Sequence, residues 1–163
     1  MSQPSLRRAA GTPYWVLLAL SGVAAALRIF HAGVHELRGD EAFGLLFSTQ
    51  PVPDILTQTL QLLEPHPPLD YVLLHFWTAV AGDSEWALRF TSFAFSILAI
   101  PLIYQLGRQL DGVETGLWAA LLFAVSPFQI WHAQEARMYA ISTAFGLAAG
   151  VALLRAERTG ETR

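Results

Sequence analysis

Four apolar runs, each close to the length of a bilayer crossing, constrain the fold of this chain more than any other feature. They lie at about 13–30, 88–107, 114–132 and 138–154. A helix that crosses the roughly 30 Å hydrocarbon core of a membrane needs about 20 predominantly apolar residues. Only 14% of the 163 residues are charged, whereas 53% are apolar. The sequence therefore predicts an all-α polytopic membrane protein with four transmembrane helices.

The arginines indicate how these helices are oriented. All ten basic residues of the chain are arginine. With a cytoplasmic N-terminus and four crossings, the cytoplasmic side receives Arg7, Arg8, Arg108, Arg155, Arg158 and Arg163. The loop 31–87 then lies outside, and its eight acids are accompanied by a single arginine, Arg38. Because basic residues near span ends favour the cytoplasm, we expect this orientation in the plasma membrane.

The loop 31–87 is predicted to contain juxtamembrane helices rather than another span. One is expected at 53–63, after Pro51 and Pro53. A second is expected at 67–81, where the apolar residues fall on one helical stripe, namely Leu69, Leu73, Phe76, Trp77 and Val80. A helix with one apolar and one polar side suits the membrane surface. The alternative, a span at 67–81, would put the C-terminal arginines outside, against the charge rule.

Three short polar clusters sit beside the apolar runs, and the predicted topology puts all three on the outer face. They are Arg38-Gly39-Asp40-Glu41, then Glu64-Pro65-His66-Pro67-Pro68-Leu69-Asp70, then Gln134-Glu135-Ala136-Arg137-Met138-Tyr139. Ionisable residues next to membrane spans are costly and usually have a function. These clusters are therefore the first place to look for a site.

The first two clusters carry residue types suited to proton transfer and phosphate binding. Asp40 and Glu41 are adjacent carboxylates, which can act as a general base or hold a divalent metal. His66 lies between prolines that stiffen its backbone, so its imidazole is well aimed to contact a phosphate, a metal or a proton. The alternatives are a solvated loop with a helix start at Asp40, and a proline-rich helix start at His66.

The third cluster adds a cation. The planar fork of Arg137 can bind two phosphate oxygens at once, beside the aromatic ring of Tyr139. The alternatives are an anchor at the membrane interface and a surface ion pair between Arg137 and Glu135.

The composition limits which metals and partners the chain can bind. The chain has no cysteine, which excludes disulfides and thiolate metal sites. A divalent metal remains an alternative with Asp40, Glu41, Glu64 and His66 as ligands, although their spacing matches no known metal motif. No basic run suggests nucleic acid.

The order of several short motifs resembles a known family. The motifs are Asp40-Glu41, His66-Pro67-Pro68-Leu69, Glu85-Trp86-Ala87-Leu88-Arg89, Ser126-Pro127 and Glu135-Ala136-Arg137-Met138-Tyr139. Together they resemble the N-terminal part of the GT-C glycosyltransferases, in the branch that holds protein O-mannosyltransferases, lipid A aminoarabinose transferases and bacterial RgtA/RgtD-like enzymes. The resemblance extends from about residue 14 to 155.

The resemblance implies transfer of a sugar from a polyprenyl-phosphate donor to a lipid, glycan or protein acceptor at the outer membrane face, with inversion at the anomeric carbon. It implies that Asp40, with Glu41 beside it, is catalytic. It also implies a donor-phosphate site formed by His66, Arg137 and Tyr139. We expect contacts with the acceptor, or support of these groups, from Glu64, Asp70 and Glu135. We expect no required cofactor, with a divalent metal as the alternative.

Members of that group usually have many more spans, so we expect this chain to be a fragment or to work with further transmembrane segments or another subunit. Two other functions stay open: a non-enzymatic four-span protein that binds or moves polyprenyl lipids, and a structural subunit. The enzyme alternative predicts Asp40, His66 and Arg137 close together, whereas a structural subunit predicts them scattered.

Overall fold

The computed structural model describes residues 14–30, 32 and 36–160, which fold into helices and short connections. The eight helices of this part are α1 Tyr14–Ile29, α2 Gly39–Ser48, α3 Val52–Leu60, α4 Pro68–Ala81, α5 Glu85–Asp111, α6 Val113–Val125, α7 Pro127–Ala133 and α8 Tyr139–Gly160. The predicted all-α class is confirmed. Arg7, Arg8 and Arg163, which entered the orientation argument, lie outside the described residues, as does residue 13 of the first predicted span.

Two helices in the described part, α5 and α8, are long and apolar enough to cross a membrane. The pair α6 and α7 passes the same test only if counted as one span, and it is bent by 60°. Helix α1 is apolar but has only 16 residues. The described residues therefore contain two or three candidate spans, and the predicted four are not confirmed.

The break at Pro127 explains why the apolar run 114–132 is not one straight helix. Proline disfavours helical geometry at the residue before it, and Ser126 is extended, with ψ of 120°. The Ser126 hydroxyl instead accepts a bond from the Gln129 N–H at 3.4 Å and so caps α7. Hydropathy averaged over the run cannot detect this change of direction.

A buried arginine compensates for the break. Because Pro127 has no N–H, the Phe123 carbonyl four residues earlier loses its normal helical partner. Arg28 of α1, fully buried, donates to the carbonyls of Phe123 at 3.3 Å and Ala124 at 2.9 Å. It also donates to the Ser96 hydroxyl at 2.7 Å. Arg28 thus connects α1, α5 and the end of α6.

The apolar helices pack closely because small residues line their contacts. The shared core of α1, α5, α6 and α8 contains Ala24, Ala99, Ile100, Ala120, Ala124 and Ala144. Between α5 and α6 a side-chain Cβ at Gly107 would lie 2.9 Å from the Gly116 Cα. Small residues of this kind let membrane helices approach each other. The bundle therefore supplies a rigid support for the loops at its end.

Helices α2, α3 and α4 form a separate small layer against one end of α5. Phe47, Ile55 and Tyr71 form the core of this layer, and Leu74 of α4 packs on Leu88 of α5. Trp77 of the predicted apolar stripe of α4 packs against Leu74 and Leu88, but three other members of the stripe face away from the protein. Leu69, Phe76 and Val80 are 52%, 60% and 84% exposed, an apolar surface compatible with contact with lipid.

Candidate active site

Arg137, in the turn between α7 and α8, joins the three polar clusters. Its side chain donates from Nη1 to the Asp40 carbonyl at 3.1 Å and contacts His66 Nε2 from Nη2 at 3.0 Å. Its own carbonyl accepts a bond from the Ser92 hydroxyl of α5 at 3.1 Å. Segments separated by 97 and 71 residues thereby meet at one guanidinium.

The contacts of Arg137 leave it with unused binding capacity. The residue is only 5% exposed, and its Nε has no hydrogen-bond partner. The nearest carboxylate oxygen, Asp40 Oδ2, is 3.8 Å from Nε, which is too long for a hydrogen bond. The Asp40 side chain is 52% exposed. A buried donor without a partner is costly, so an incoming anion would gain by binding here.

The contact with Arg137 determines the protonation of His66. Guanidinium nitrogens only donate, so His66 Nε2 must accept and Nδ1 must carry the proton. Nδ1 faces Glu64 Oε1, which also accepts a bond from the Tyr71 hydroxyl at 3.1 Å. Glu64, His66 and Arg137 therefore form one chain of hydrogen bonds that orients the imidazole.

The pKa shifts of Glu64 and Tyr71 agree with this chain of hydrogen bonds. Burial would raise the pKa of Glu64, but hydrogen bonds from His66 and Tyr71 outweigh burial and lower it. Burial and the bond to Glu64 both raise the pKa of Tyr71. Glu64 is thus an anion that faces His66, and Tyr71 stays a neutral donor.

Asp70, half-buried in the first turn of α4, adds a second acid near the same cation. Burial raises the pKa of Asp70 to about 6, and the positive charge of Arg137 opposes this rise. Asp40, Glu64, His66, Asp70 and Arg137 are called the Arg137 cluster below.

Glu41 is placed differently from Asp40. It is 2% exposed, and each of its carboxylate oxygens has two partners. Oε1 accepts from the Ala136 N–H at 2.7 Å and from Arg89 Nε at 3.2 Å. Oε2 accepts from the Arg38 N–H at 3.0 Å and from Arg89 Nη2 at 3.1 Å. Burial would raise the pKa of Glu41, but these bonds lower it.

Arg89, the partner of Glu41, was not predicted from the sequence to be a site residue. It is 4% exposed and also donates to the carbonyls of Ala32 at 2.9 Å and Glu36 at 3.3 Å. The available signal was an arginine at the start of an apolar helix, where an unpaired charge is costly. The Glu41–Arg89 ion pair connects α2, α5 and the turn before α8.

Glu135 and Tyr139 lie in a second group. Glu135 accepts from Arg38 Nη1 at 2.7 Å, Trp131 Nε1 at 2.6 Å and His132 Nδ1 at 3.0 Å. The ion pair of Glu135 is therefore with Arg38, and the alternative of a pair with Arg137 is wrong. The Tyr139 ring packs on His132, with centroids 4.4 Å apart.

The arrangement of the described residues does not support the alternative of a metal site. Within the described ranges no group of three or more histidine, aspartate or glutamate side chains is arranged to hold an ion. Glu64 and His66 contact each other, while Glu41 is held by Arg89.

Comparison with known proteins gives one result. The family model described as dolichyl-phosphate-mannose-protein mannosyltransferase matches residues 65–163, which is more than half of the chain. The chain belongs to this family. No curated protein and no solved structure matches it significantly.

Membership of the mannosyltransferase family confirms the resemblance to GT-C glycosyltransferases and agrees with the apolar helices. The chain is thus assigned to a family of membrane glycosyltransferases. The matched region includes His66, Asp70, Glu135 and Arg137. Asp40 and Glu41 precede it, so the roles of these two acids must be argued from their contacts alone.

Proposed function

We propose that this protein transfers a sugar from a polyprenyl-phosphate donor to an acceptor hydroxyl on the non-cytoplasmic face of the plasma membrane. Family membership supports the reaction class, and the Arg137 cluster supports the choice of residues. The observation that carries the proposal is the position of Arg137, which contacts the Asp40 carbonyl and His66 Nε2 and keeps an unpaired Nε.

Arg137 binds the donor phosphate in this proposal, and His66, whose two ring nitrogens are already engaged, holds the guanidinium in position. An arginine fork matches two phosphate oxygens and forms charge-assisted hydrogen bonds with them. Binding would pair the orphaned Nε of Arg137. The low exposure of Arg137 strengthens its attraction to an anion, because surrounding protein screens charge less than water does.

Asp40 is the proposed general base. Its carboxylate is half-exposed, so an acceptor hydroxyl can reach it, and Oδ2 lies 3.8 Å from the Arg137 Nε. In the reaction the acceptor oxygen bonds to the anomeric carbon as the bond from that carbon to the phosphate oxygen breaks. The hydroxyl proton passes to Asp40, and the bonding electrons leave with the polyprenyl phosphate, whose charge Arg137 stabilises.

Glu41 acts as a positioning residue in the same scheme. Both of its oxygens are already bound, so it has no free lone pair directed at a substrate. By accepting from the Ala136 N–H, it fixes the residue next to Arg137. Asp40 and Arg137 are thereby held on one side of α2. A non-enzymatic lipid carrier would need no carboxylate beside the phosphate, so the position of Asp40 argues against that alternative.

The test compares two isosteric substitutions in the full-length protein. Asp40→Asn should lower sugar transfer from radiolabelled polyprenyl-phosphate mannose and related donors by about a hundredfold or more, the usual contribution of a general base. Donor binding should not weaken, because Asp40 is not the phosphate ligand and its replacement removes a negative charge beside Arg137. Asp83→Asn, at an exposed turn residue, is the matched control and should keep full activity.

The result can contradict the proposal in two ways. Transfer by Asp40→Asn at the wild-type rate would exclude Asp40 as the base. Binding of the donor without transfer by wild-type protein, across all donor and acceptor preparations, would favour a lipid-binding function instead.

A further inference from the structure

The N-terminal turn of α2 and the turn before α8 separate two polar compartments. Between these two turns, the Glu41 carboxylate accepts a hydrogen bond from the Ala136 N–H at 2.7 Å. On one side Arg137 contacts the Asp40 carbonyl. On the other side Arg38 contacts Glu135. Glu135 and Arg137, which flank Ala136, thus contribute to different compartments, only one of which the proposed phosphate chemistry uses.

The second compartment is a cleft of about 390 Å³. Its lining includes Arg38, Trp131, Gln134 and Glu135. It is called the Trp131 cleft below. Its volume falls within the roughly 300–1,000 Å³ of small-molecule sites. Glu41 and Arg89 also line it.

An aromatic surface is available in the Trp131 cleft. The Trp131 side chain remains 53% exposed although the Arg38 guanidinium lies 4.6 Å from its ring centroid. The indole is held in place, since its Nε1 donates to Glu135 at 2.6 Å. Arg38 lies over the ring, and the part of the side chain that remains exposed attracts the slightly positive C–H groups of a flat ligand.

Hydrogen-bonding groups that are not fully used also lie around this indole. Gln134 donates from Nε2 to the carbonyls of Arg28 at 3.0 Å and Phe30 at 2.8 Å, while its Oε1 accepts nothing from any described residue. Arg38 has five N–H groups and uses one on Glu135. The cleft therefore offers acceptors and donors that are already fixed in position.

The charges of the cleft balance, because two arginines and two glutamates line it, so an anionic ligand meets no net attraction there. Glu135 is 13% exposed and pairs with Arg38 at 2.7 Å, so the one cation that faces the cleft beside Trp131 is already neutralised. Arg89 at its base is paired with Glu41. A phosphate would meet two carboxylates here, and a purely apolar chain would strip water from these charged groups. A neutral ligand rich in hydroxyl groups meets neither penalty.

We propose that the Trp131 cleft binds a pyranose sugar, which stacks on Trp131 and exchanges hydrogen bonds with Gln134, Glu135 and Arg38. The sugar is the acceptor, or the terminal unit of a glycan acceptor. This acceptor role rests on the proposed transfer function, whereas the binding of a sugar does not. In the transfer reaction a hydroxyl of this sugar would extend past Glu41 to reach Asp40, on the side where Arg137 binds the donor phosphate.

The experiment measures sugar binding without any donor or turnover. Full-length protein in lipid nanodiscs is titrated with methyl α-mannopyranoside and methyl β-glucopyranoside, and binding is followed by saturation-transfer NMR. Wild-type protein should bind at least one of the two. Trp131→Leu and Glu135→Gln should each weaken that binding by about tenfold, the loss expected for one stacking contact or one charged hydrogen bond.

Two controls separate the site from general damage. Trp118→Leu removes another exposed tryptophan, 64% exposed and on α6, and should bind sugar as the wild type does. Asp83→Asn, at an exposed turn residue that does not line the cleft, should also bind sugar normally. Circular dichroism checks that each variant keeps its helix content, and polyprenyl-phosphate binding by Trp131→Leu should stay within about twofold.

Each outcome decides the matter. If neither glycoside binds, or if Trp131→Leu binds as tightly as Trp118→Leu, the sugar site is refuted. Binding of a serine-containing peptide in place of the glycosides, lost in Trp131→Leu, would refute it in favour of a peptide acceptor. Sugar binding that depends on Trp131, in a protein that transfers nothing, would retain the sugar site and refute the transfer function.

Discussion

Arg89 and Arg137 are almost equally buried, at 4% and 5% exposure, but their surroundings differ. Arg89 faces both oxygens of Glu41 and two backbone carbonyls. Arg137 has one carbonyl, one imidazole and an Nε without a partner, and its nearest carboxylate is half-exposed. Burial alone therefore does not distinguish a structural arginine from a binding one. What distinguishes the two arginines is whether the N–H donors of the guanidinium all have acceptors.

The difference follows from where each arginine enters the fold. Arg89 sits on α5 against the start of α2, so the fold closes around it and supplies a full set of acceptors. Arg137 lies in a turn, and the segments that approach it, around Asp40 and His66, are themselves loop or helix-start residues. A buried ion pair is weak evidence for net stability, but removing one partner is strongly destabilising.

The largest expected effect is on stability, at the Glu41–Arg89 ion pair. Glu41→Gln leaves the Arg89 charge buried without a counter-charge, so the free energy of unfolding should fall by about 4 kcal/mol. Asp40→Asn is the matched control, and because Asp40 is half-exposed it should cost less than about 0.5 kcal/mol. Denaturant titration in a mild detergent, followed by circular dichroism, gives both values.

A double variant sharpens this result. Glu41→Gln combined with Arg89→Gln removes both charges, so its loss of stability should be smaller than the sum of the two single losses. Equal costs for Glu41→Gln and Asp40→Asn would mean that the ion pair does not set Arg89 apart from Arg137.

The next effect is on donor binding, at Arg137. Arg137→Gln should weaken the binding of a fluorescent polyprenyl phosphate by about 2 kcal/mol, or roughly thirtyfold, which is typical for hydrogen bonds to a charged group. Arg137→Lys should recover only part of the affinity, because an ammonium cannot form the two parallel bonds of the fork. Arg155→Gln, at the exposed far end of α8, is the control. Wild-type affinity in Arg137→Gln would remove Arg137 from the phosphate site.

The smallest effect is a pH dependence that Asp70 imposes on the Arg137 cluster. Because burial raises the pKa of Asp70 to about 6, this acid becomes charged as the pH rises from 5 to about 7.5. The new negative charge near Arg137 opposes an anionic donor, and donor affinity should fall about fivefold, or by about 1 kcal/mol. A polyprenyl-phosphate sugar is a suitable ligand because its phosphodiester does not titrate in this range.

Asp70→Asn isolates that contribution. The difference between its pH profile and that of the wild type reports the effect of the Asp70 carboxylate. The raised pKa also means that the folded protein prefers the protonated acid, so the stability from this group falls as the pH rises from about 4 to about 6. Identical binding profiles for Asp70→Asn and wild type would show that Asp70 does not act on the donor site.

Much of the helical architecture could be predicted because its signals are local. Proline and apolar periodicity predicted helices at 53–63 and 67–81, where α3 and α4 lie. The apolar runs at 88–107 and 138–154 lie in α5 and α8. The run at 114–132 was predicted as one span, but Pro127 bends it by 60°. Arg28 restores the bonding there from a helix almost 100 residues away.

The sequence by itself determined the helical class, the membrane setting and the family, since composition, periodicity and ordered motifs do not depend on how the helices pack. Tertiary structure alone decided which charge meets which. Glu41 pairs with Arg89 at a separation of 48 residues, and Glu135 pairs with Arg38 at 97. Such pairings depend on the path of the backbone, because a buried charge takes whichever partner the packed helices bring within hydrogen-bond distance.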